Sequence, residues 1–422
     1  MRIFYSKNIK RDSYIWNMIG SFLMAFQSVI MLIILTRTVG IIESGIFTIA
    51  NANANLSLNI GKYGMRNFQV SDVMKEFSFS EYKISRIITS FLMILFSIVF
   101  TSFSAYSNYY TIRKFSIILL MCVFKVVDAI EDIYLGMYQK KGRLDVASKI
   151  MSFRLILTII FFSILIILTY DLLFSLIMAI LFTSILLFIF IVATKKIVVN
   201  QSNKNTRKDM KKVFILLQQC FPLFFAAFLS FYIGNAPKYA IDAQLNDTLQ
   251  ACYGFISMPV FVIGLLNNFI FNPLLRDFSY LWQNHKLKKF IKNIIRQCFI
   301  IAVITIICII GAYICGIPVL SLLYNTDLSN YKLELIILLL GGGFLGLIGF
   351  LTAIITIMRC QKILVVCYAI IAILICFLSP VCVSQLGILG ATLIYLASMI
   401  MLAIIFSFIV FLNVKRVKIL NN

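Results

Sequence analysis

Charge is scarce in this chain. Asp, Glu, Lys and Arg make up 13% of its 422 residues, against roughly 25% in a soluble domain. Hydrophobic residues make up 61%, and the mean hydropathy is +0.99. No soluble core buries that much Ile, Leu and Phe, so a lipid bilayer must solvate most of the chain. Histidine is nearly absent. The only one, His285, lies in a basic loop, which excludes a histidine-based hydrolase or zinc centre. The ten cysteines are scattered singly, without a CxxC, and nearly all fall in apolar runs. They read as small buried hydrophobes rather than metal or redox ligands. There is no P-loop, no glycine-rich nucleotide fingerprint and no HExxH. The sequence therefore implies no enzyme, no cofactor and no resident metal.

What is present is a series of apolar runs of about 20 residues, the length a helix needs to cross hydrocarbon. Lipid leaves no partner for unpaired backbone groups, and runs of this length select helices over a barrel. The chain is expected to be an all-α membrane protein with twelve spans: 14–35, 41–60, 85–106, 115–138, 150–169, 172–194, 213–234, 249–271, 294–315, 333–357, 363–383 and 388–412. The first run is long enough to stay as a span rather than be cleaved as a signal. With the N-terminus inside, 31 of the 38 Lys and Arg fall in cytoplasmic segments and 5 in outer loops. Lys125 and Arg154 lie within spans. This asymmetry puts both termini in the cytoplasm. It also accounts for most of the +22 formal charge as topology and attraction to anionic lipid, not nucleic-acid binding.

The hydrophilic stretch KKIVVNQSNKNTRKDMKK, 195–212, separates six spans from six. The expected domains are a lobe at 1–200, a basic linker at 201–212 and a second lobe at 213–422. A faint repeat connects them. Gly45-Ile-Phe and Arg66-Asn-Phe bracket the second span, as Gly254-Phe and Arg276-Asp-Phe bracket the eighth, at spacings agreeing within one residue. An even number of spans per half makes this a parallel repeat, with a substrate site expected between the halves.

Polar residues inside spans mark candidate sites, because a charge at mid-membrane costs at least about 2.5 kcal/mol. In KVVDAIEDIYLGMYQKKGRLDVASK, 125–149, Lys125, Asp128 and Asp132 share one narrow helical face, with Glu131 beside it. Either an ion network staples the helix, or the face lines a transport cavity in which Lys125 meets an anion and a carboxylate binds or titrates a coupling cation. In the second span Asn51, Asn55 and Asn59, with Ser44 and Thr48, form one polar stripe. It suits sugar hydroxyls or interhelical polar contacts. Lys238 and Asp242 stand four apart at the outer end of the seventh span, and Asn267, Asn268, Asn272 and Arg276 at the inner end of the eighth. Arg154 either snorkels to the interface or joins the cavity. The glycines of GGGFLGLIG, 341–349, allow close helix packing or a hinge.

With these residues in view, GKYGMRNFQVSD (61–72), DAIEDIYLGMYQKKGRLDVASK (128–149), SFYIGNAPKYAID (230–242) and GIPVLSLLY (316–324) resemble segments of bacterial polysaccharide flippases. These are the Wzx-type repeat-unit translocases of the multidrug/oligosaccharidyl-lipid/polysaccharide (MOP) exporter superfamily. The resemblance implies a MATE-like fold of two six-helix lobes in a V around a cationic cavity, with alternating access in the bacterial inner membrane. The implied substrate is an undecaprenyl-pyrophosphate-linked oligosaccharide of O-antigen or capsule. The implied partners are polysaccharide polymerase and chain-length proteins, and the coupling is left open between proton, sodium and none. Carried onto this sequence, Lys125, Arg66, Lys238 and Arg276 are candidates for pyrophosphate or acidic sugar, with Arg66 and Lys238 borne by the motifs; Arg37 and Arg154 join them on the cavity argument alone. Asp128, Asp132 and Asp242 are candidates for ion coupling. Two other readings stay open: a cation-coupled multidrug exporter of the same superfamily, and a non-transporting scaffold of a polysaccharide assembly complex. Short outer loops disfavour a polymerase or ligase.

Overall fold

The computed structural model describes residues 4, 6, 8–72, 76–199, 210–271, 274–284 and 286–420, excluding the side chains of 71, 195–199, 265–271, 276 and 418–420. The described residues contain no strand. The long helices are α1 (Ile9–Thr38), α2 (Ile41–Lys62), α4 (Phe79–Ser107), α5 (Ile112–Lys140), α6 (Leu144–Thr169) and α7 (Leu172–Val199), then α8 (Met210–Gln244), α9 (Asp247–Phe271), α11 (Leu287–Gly311), α13 (Lys332–Ile357) and α14 (Gln361–Leu420). Short helices α3 (Met65–Ser71), α10 (Leu275–Gln283) and α12 (Ile317–Tyr324) join them. Each expected span lies inside one of the long helices, except that the ninth runs from α11 into the π turn Ala312–Gly316. Among the described residues, eight helices are long and apolar enough to cross a membrane, with Gln361–Val417 counted once. That stretch is two helices, because Gly387 (φ 58°, ψ −135°) breaks it. The α2 and α5 helices fall outside the apolar set because they carry the asparagines and the charges.

Local sequence fixes the ends. Asn8 caps α1 by accepting from the Arg11 amide at 3.2 Å, and Thr111 caps α5 by accepting from the Lys114 amide at 3.2 Å. Ser78 and Glu81 form a capping box on α4, the Ser78 amide donating to Glu81 Oε2 at 2.6 Å. Two successive left-handed residues, Tyr63 (φ 51°) and Gly64 (φ 65°), turn the chain from α2 into α3. A side chain at Gly64 would also press on Leu223 at 3.1 Å.

Contacts divide the chain into two compact units, Met1–Phe228 and Leu229–Asn422. The division falls within α8, later than the basic stretch 201–212, most of which lies outside the described residues. The first half of α8 belongs with the first unit because its side chains pack there. Leu216 and Cys220 join a core with Met65, Phe77, Tyr82 and Ile133, and Phe224 and Phe228 pack against Leu58, Ile60, Met93 and Ala129. Element order repeats between the units. From α1 and again from α8, two long helices are followed by a short one and then by four long ones, the second series adding the short α12 after α11, with Arg66 and Arg276 each the second residue of the short α3 or α10.

The interiors differ. In the first unit α2, α4, α5, α6 and α7 surround charged side chains. In the second, α13 is the hub. Its successive glycines Gly341, Gly342 and Gly343 face Tyr395 of α14, Val260 of α9 and Thr305 of α11. The glycine run thus serves close packing on three sides, because each missing Cβ admits a different neighbour.

Candidate functional site

The charged face of α5 meets partners from four other helices, α1, α3, α4 and α6. Lys125 Nζ donates to Asp128 Oδ2 at 2.9 Å and to Gln27 Oε1 of α1 at 3.1 Å. Arg154 of α6 donates from Nη2 to Asp128 Oδ1 at 2.6 Å and to Glu131 Oε2 at 2.7 Å, and from Nε to Glu131 Oε1 at 2.9 Å. Its Nη1 donates to Thr183 Oγ1 of α7 at 3.0 Å. Lys125, Asp128, Glu131 and Arg154 are 5%, 3%, 3% and 1% exposed. Two cations and two carboxylates therefore form an enclosed, neutral quartet. Arg154 does not snorkel; it is among the largest fully buried side chains. Seen alone, α5 carries one lysine against three acids. The structure supplies the missing charge from α4 and α6.

The third acid, Asp132, sits one turn further along. Arg86 of α4 donates from Nη2 to Asp132 Oδ2 at 2.8 Å, and its Nη1 donates to the Gly61 carbonyl near the end of α2. Thr89 Oγ1 donates to the same carbonyl at 2.9 Å. Arg66 reaches Asp132 Oδ1 at 3.8 Å. Its Nε and Nη2 both donate to Gln139 Oε1, at 3.2 and 3.0 Å. Lys62, Gly64, Arg66, Asn67, Asp132 and Gln139 line an open cavity of about 390 Å³. Close packing orients the wall, since Gly136 lies against Gln69 and Arg66 with no room for a Cβ. Beside it, Asp72 accepts from Lys140 Nζ at 2.9 Å and Tyr82 Oη at 3.2 Å. Burial alone would raise the Asp72 carboxyl. The Lys140 contact and the Glu76 and Phe77 amides outweigh burial and hold it below the ordinary carboxylate range.

The asparagine stripe is half-buried and bonded along its own helix. Asn55 Nδ2 donates to the Asn51 carbonyl and Oδ1, both at 2.9 Å, and Asn59 Nδ2 donates to the Asn55 carbonyl at 2.9 Å. Arg37 is exposed in the last turn of α1, at the opposite end from the cavity. In the second unit Lys238 and Asp242 are half-buried on α8. The side chains of Asn267, Asn268, Asn272 and Arg276, and His285, lie outside the described residues. At the end opposite the cavity, Arg113 joins Glu43 at 2.8 Å and Asp171 at 2.9 Å. The sequence reading missed Arg86, Lys62, Asn67 and Gln139 as site residues. Arg86 is the second residue of its apolar run, and there it reads as a topology charge. Its only local signal is that it opens a span rather than preceding one.

No protein-family model matches the sequence, and no curated protein matches it. Solved structures do match in shape. The lipid II flippase MurJ in its inward closed conformation matches with a TM-score of 0.68 and 15% identity, over 93% of this chain and 87% of MurJ. The eukaryotic MATE transporter AtDTX14 matches with a TM-score of 0.65 and 12% identity, over 97% of this chain and 98% of the transporter. A multidrug resistance MATE family transporter of the MOP superfamily, in its inward-facing conformation, matches with 0.65 and 11%, over 93% and 95%. At such identities the likeness speaks for architecture, and the architecture of this chain is the all-α membrane fold shared by MATE transporters and MurJ.

Proposed function

We propose that this chain is a flippase that moves a lipid-linked oligosaccharide, carried on undecaprenyl pyrophosphate, from the cytoplasmic to the periplasmic leaflet of the bacterial inner membrane by alternating access. The fold supports a transporter, because both MATE proteins and the lipid II flippase are built this way. The observation that carries the lipid-linked substrate is the basic cavity. Lys62 and Arg66 line it, and the one carboxylate in its wall already has a buried arginine partner. Such a cavity attracts phosphate and repels the lipophilic cations that a drug exporter binds. The half-buried asparagine stripe of α2 adds donors and acceptors for sugar hydroxyls.

Under this reading Arg66 is the first contact for the pyrophosphate. Lys125 and Arg154 act as the framework of the first unit, while Lys238 and Arg276, on the second, are candidates that rest on the sequence alone. Ion coupling through Asp128 or Asp132 requires Arg154 or Arg86 to release its carboxylate; Asp242 is the remaining candidate. The basic end faces the cytoplasm, as do both termini. Polymerase and chain-length proteins are the expected partners on the far side.

The test is deletion of this chain in its source bacterium, followed by leaflet-resolved extraction of inner-membrane lipids. Undecaprenyl-linked oligosaccharide should accumulate on the cytoplasmic side. The wild-type chain should clear it, and Arg66→Ala should not. Absence of accumulation, with hypersensitivity to cationic dyes, would overturn the reading in favour of the multidrug exporter. That rival draws its support from the MATE likeness.

A further inference from the structure

The cavity at the basic end is lined by two cations and one carboxylate. Taken as a surface, that is a weakly basic site. What changes its character lies behind the wall. Arg86, 2% exposed, places Nη2 2.8 Å from Asp132 Oδ2, against 3.8 Å from Arg66 to the other oxygen of the same carboxylate. The nearer, buried arginine takes up the charge of Asp132. Arg66 is then held in place mainly by Gln139, whose amide oxygen accepts from both its Nε and Nη2. An amide orients a guanidinium without neutralising it. Lys62 feels the attraction of Asp132 and Asp128 but forms no salt bridge among the described residues, and so shares Asp132 with the closer Arg86. Arg86 also holds the Gly61 carbonyl, and so fixes the end of α2 from which Lys62 projects into the cavity.

We infer that Arg86 is a positioning residue that sets the charge of this cavity: by neutralising Asp132 from behind, it leaves Lys62 and Arg66 in excess of the cavity's negative charge, and the cavity takes a phosphate-type anion carrying at least two charges. The inference rests on the flippase reading only for the origin of that anion. Lys62 and Arg66 place two cations on the cavity against a carboxylate already shared with Arg86, and a diphosphate offers them more negative charge than a single phosphate. Asn67 and Gln139 add amide donors at the rim. The shared chemistry is a phosphate anion. Its source is either the pyrophosphate of a lipid-linked substrate or the headgroup of a bilayer phospholipid.

The test uses the full chain, purified and placed in nanodiscs of neutral lipid, with inorganic pyrophosphate titrated as probe. Wild type should bind pyrophosphate about ten-fold or more tightly than orthophosphate, since the further charge on the second phosphoryl group at close range adds at least that much at protein-surface dielectric. Arg86→Gln frees the charge of Asp132 into the wall and should weaken pyrophosphate binding by about ten-fold. Arg86→Gln with Asp132→Asn removes the charge imbalance and should restore binding to within about three-fold of wild type. A residue that merely holds the fold would give no such rescue; the double variant would be as weak as the single or weaker, and that result overturns the inference. Should Arg86→Gln fail to fold, two variants carry the same test. Asp132→Asn alone should bind pyrophosphate more tightly than wild type. Gln139→Glu, at the cavity rim, should bind it more weakly. The opposite sign for either overturns the inference. Titration in discs containing phosphatidylglycerol separates the sources. If the lipid raises the apparent pyrophosphate Kd, a headgroup phosphate enters the same site; if it leaves it unchanged, the site selects the diphosphate. Pyrophosphate binding that depends on Arg86 in a chain that moves no lipid-linked saccharide would sink the flippase reading alone. Translocation without Arg86-dependent anion binding would sink this inference alone.

Discussion

The two units follow the same element order and solve the packing problem in different ways. Every buried charged side chain among the described residues lies in the first unit: Asp72, Glu81, Arg86, Lys114, Lys125, Asp128, Glu131, Asp132, Asp145, Lys149 and Arg154. Buried polar groups of the second unit are uncharged, such as Gln250, Gln297, Thr305 and Ser398. Helices in lipid gain nothing from hiding apolar surface from other apolar surface, so association needs close van der Waals packing or polar contacts. The first unit uses ion pairs and hydrogen bonds between helices, and the second uses glycine contacts around α13. The first kind of interior fails when a charge is lost. The second fails when volume is added.

The largest test of that contrast is Arg154→Ala. It strands Asp128 and Glu131 with only Lys125 between them. Breaking a buried pair from one side costs about 3–5 kcal/mol. Thermal unfolding in detergent should show a large drop in midpoint, and an unchanged midpoint would mean the quartet contributes no stability. Next in size is Gly343→Leu in the second unit, where the new side chain meets Thr305. Overpacking of this kind costs about 1–3 kcal/mol. The same substitution at Gly349, which faces open space, should be tolerated. A pair of equal losses would break the packing account.

Acid should act on the first unit through Asp72. Its folded carboxyl titrates below its unfolded value, so its contribution is complete above the unfolded value near 3.9 and is lost as pH falls through the folded one. Stability should therefore decline on acidification below about pH 5, and Asp72→Asn should flatten that part of the profile. An unaltered profile in the variant would assign the acid sensitivity to other carboxylates. The smallest effect expected is for Arg113→Gln. Its side chain is 45% exposed and its partner Asp171 42%. Solvent screening leaves such bridges about 0–1 kcal/mol, so the midpoint should barely move.

The spans were legible in the sequence because a long apolar run has few other uses. The weakest, α2, formed as expected although its hydropathy is diluted by asparagine. Even the boundary between the last two spans was readable, and it falls at Gly387. The charge network was only half legible. The face on α5 follows from 100° steps along one helix, but its partners come from elsewhere. Arg86 is 46 residues from Asp132 and Arg154 is 23 residues from Glu131. Periodicity carries no information about such pairs, so α5 seemed to hold an excess of acid that the fold cancels. Gln139 was invisible for a different reason. It is a neutral residue in a basic tail, and its role depends on the guanidinium beside it. The short α3 and α10 were hidden because a seven- to nine-residue helix is too brief to show a period.

Gly387 carries one more consequence. The chain passes from one crossing to the next through a single non-helical residue, and a Cβ on Gly390 would collide with the Cys382 carbonyl. That turn offers no slack: an inserted epitope or reporter would have to pry the two helices apart, and a protease would find no extended backbone to cut. Topology surveys that rely on tagging loops would register the final pair of crossings as one and assign the C-terminus to the wrong side of the membrane.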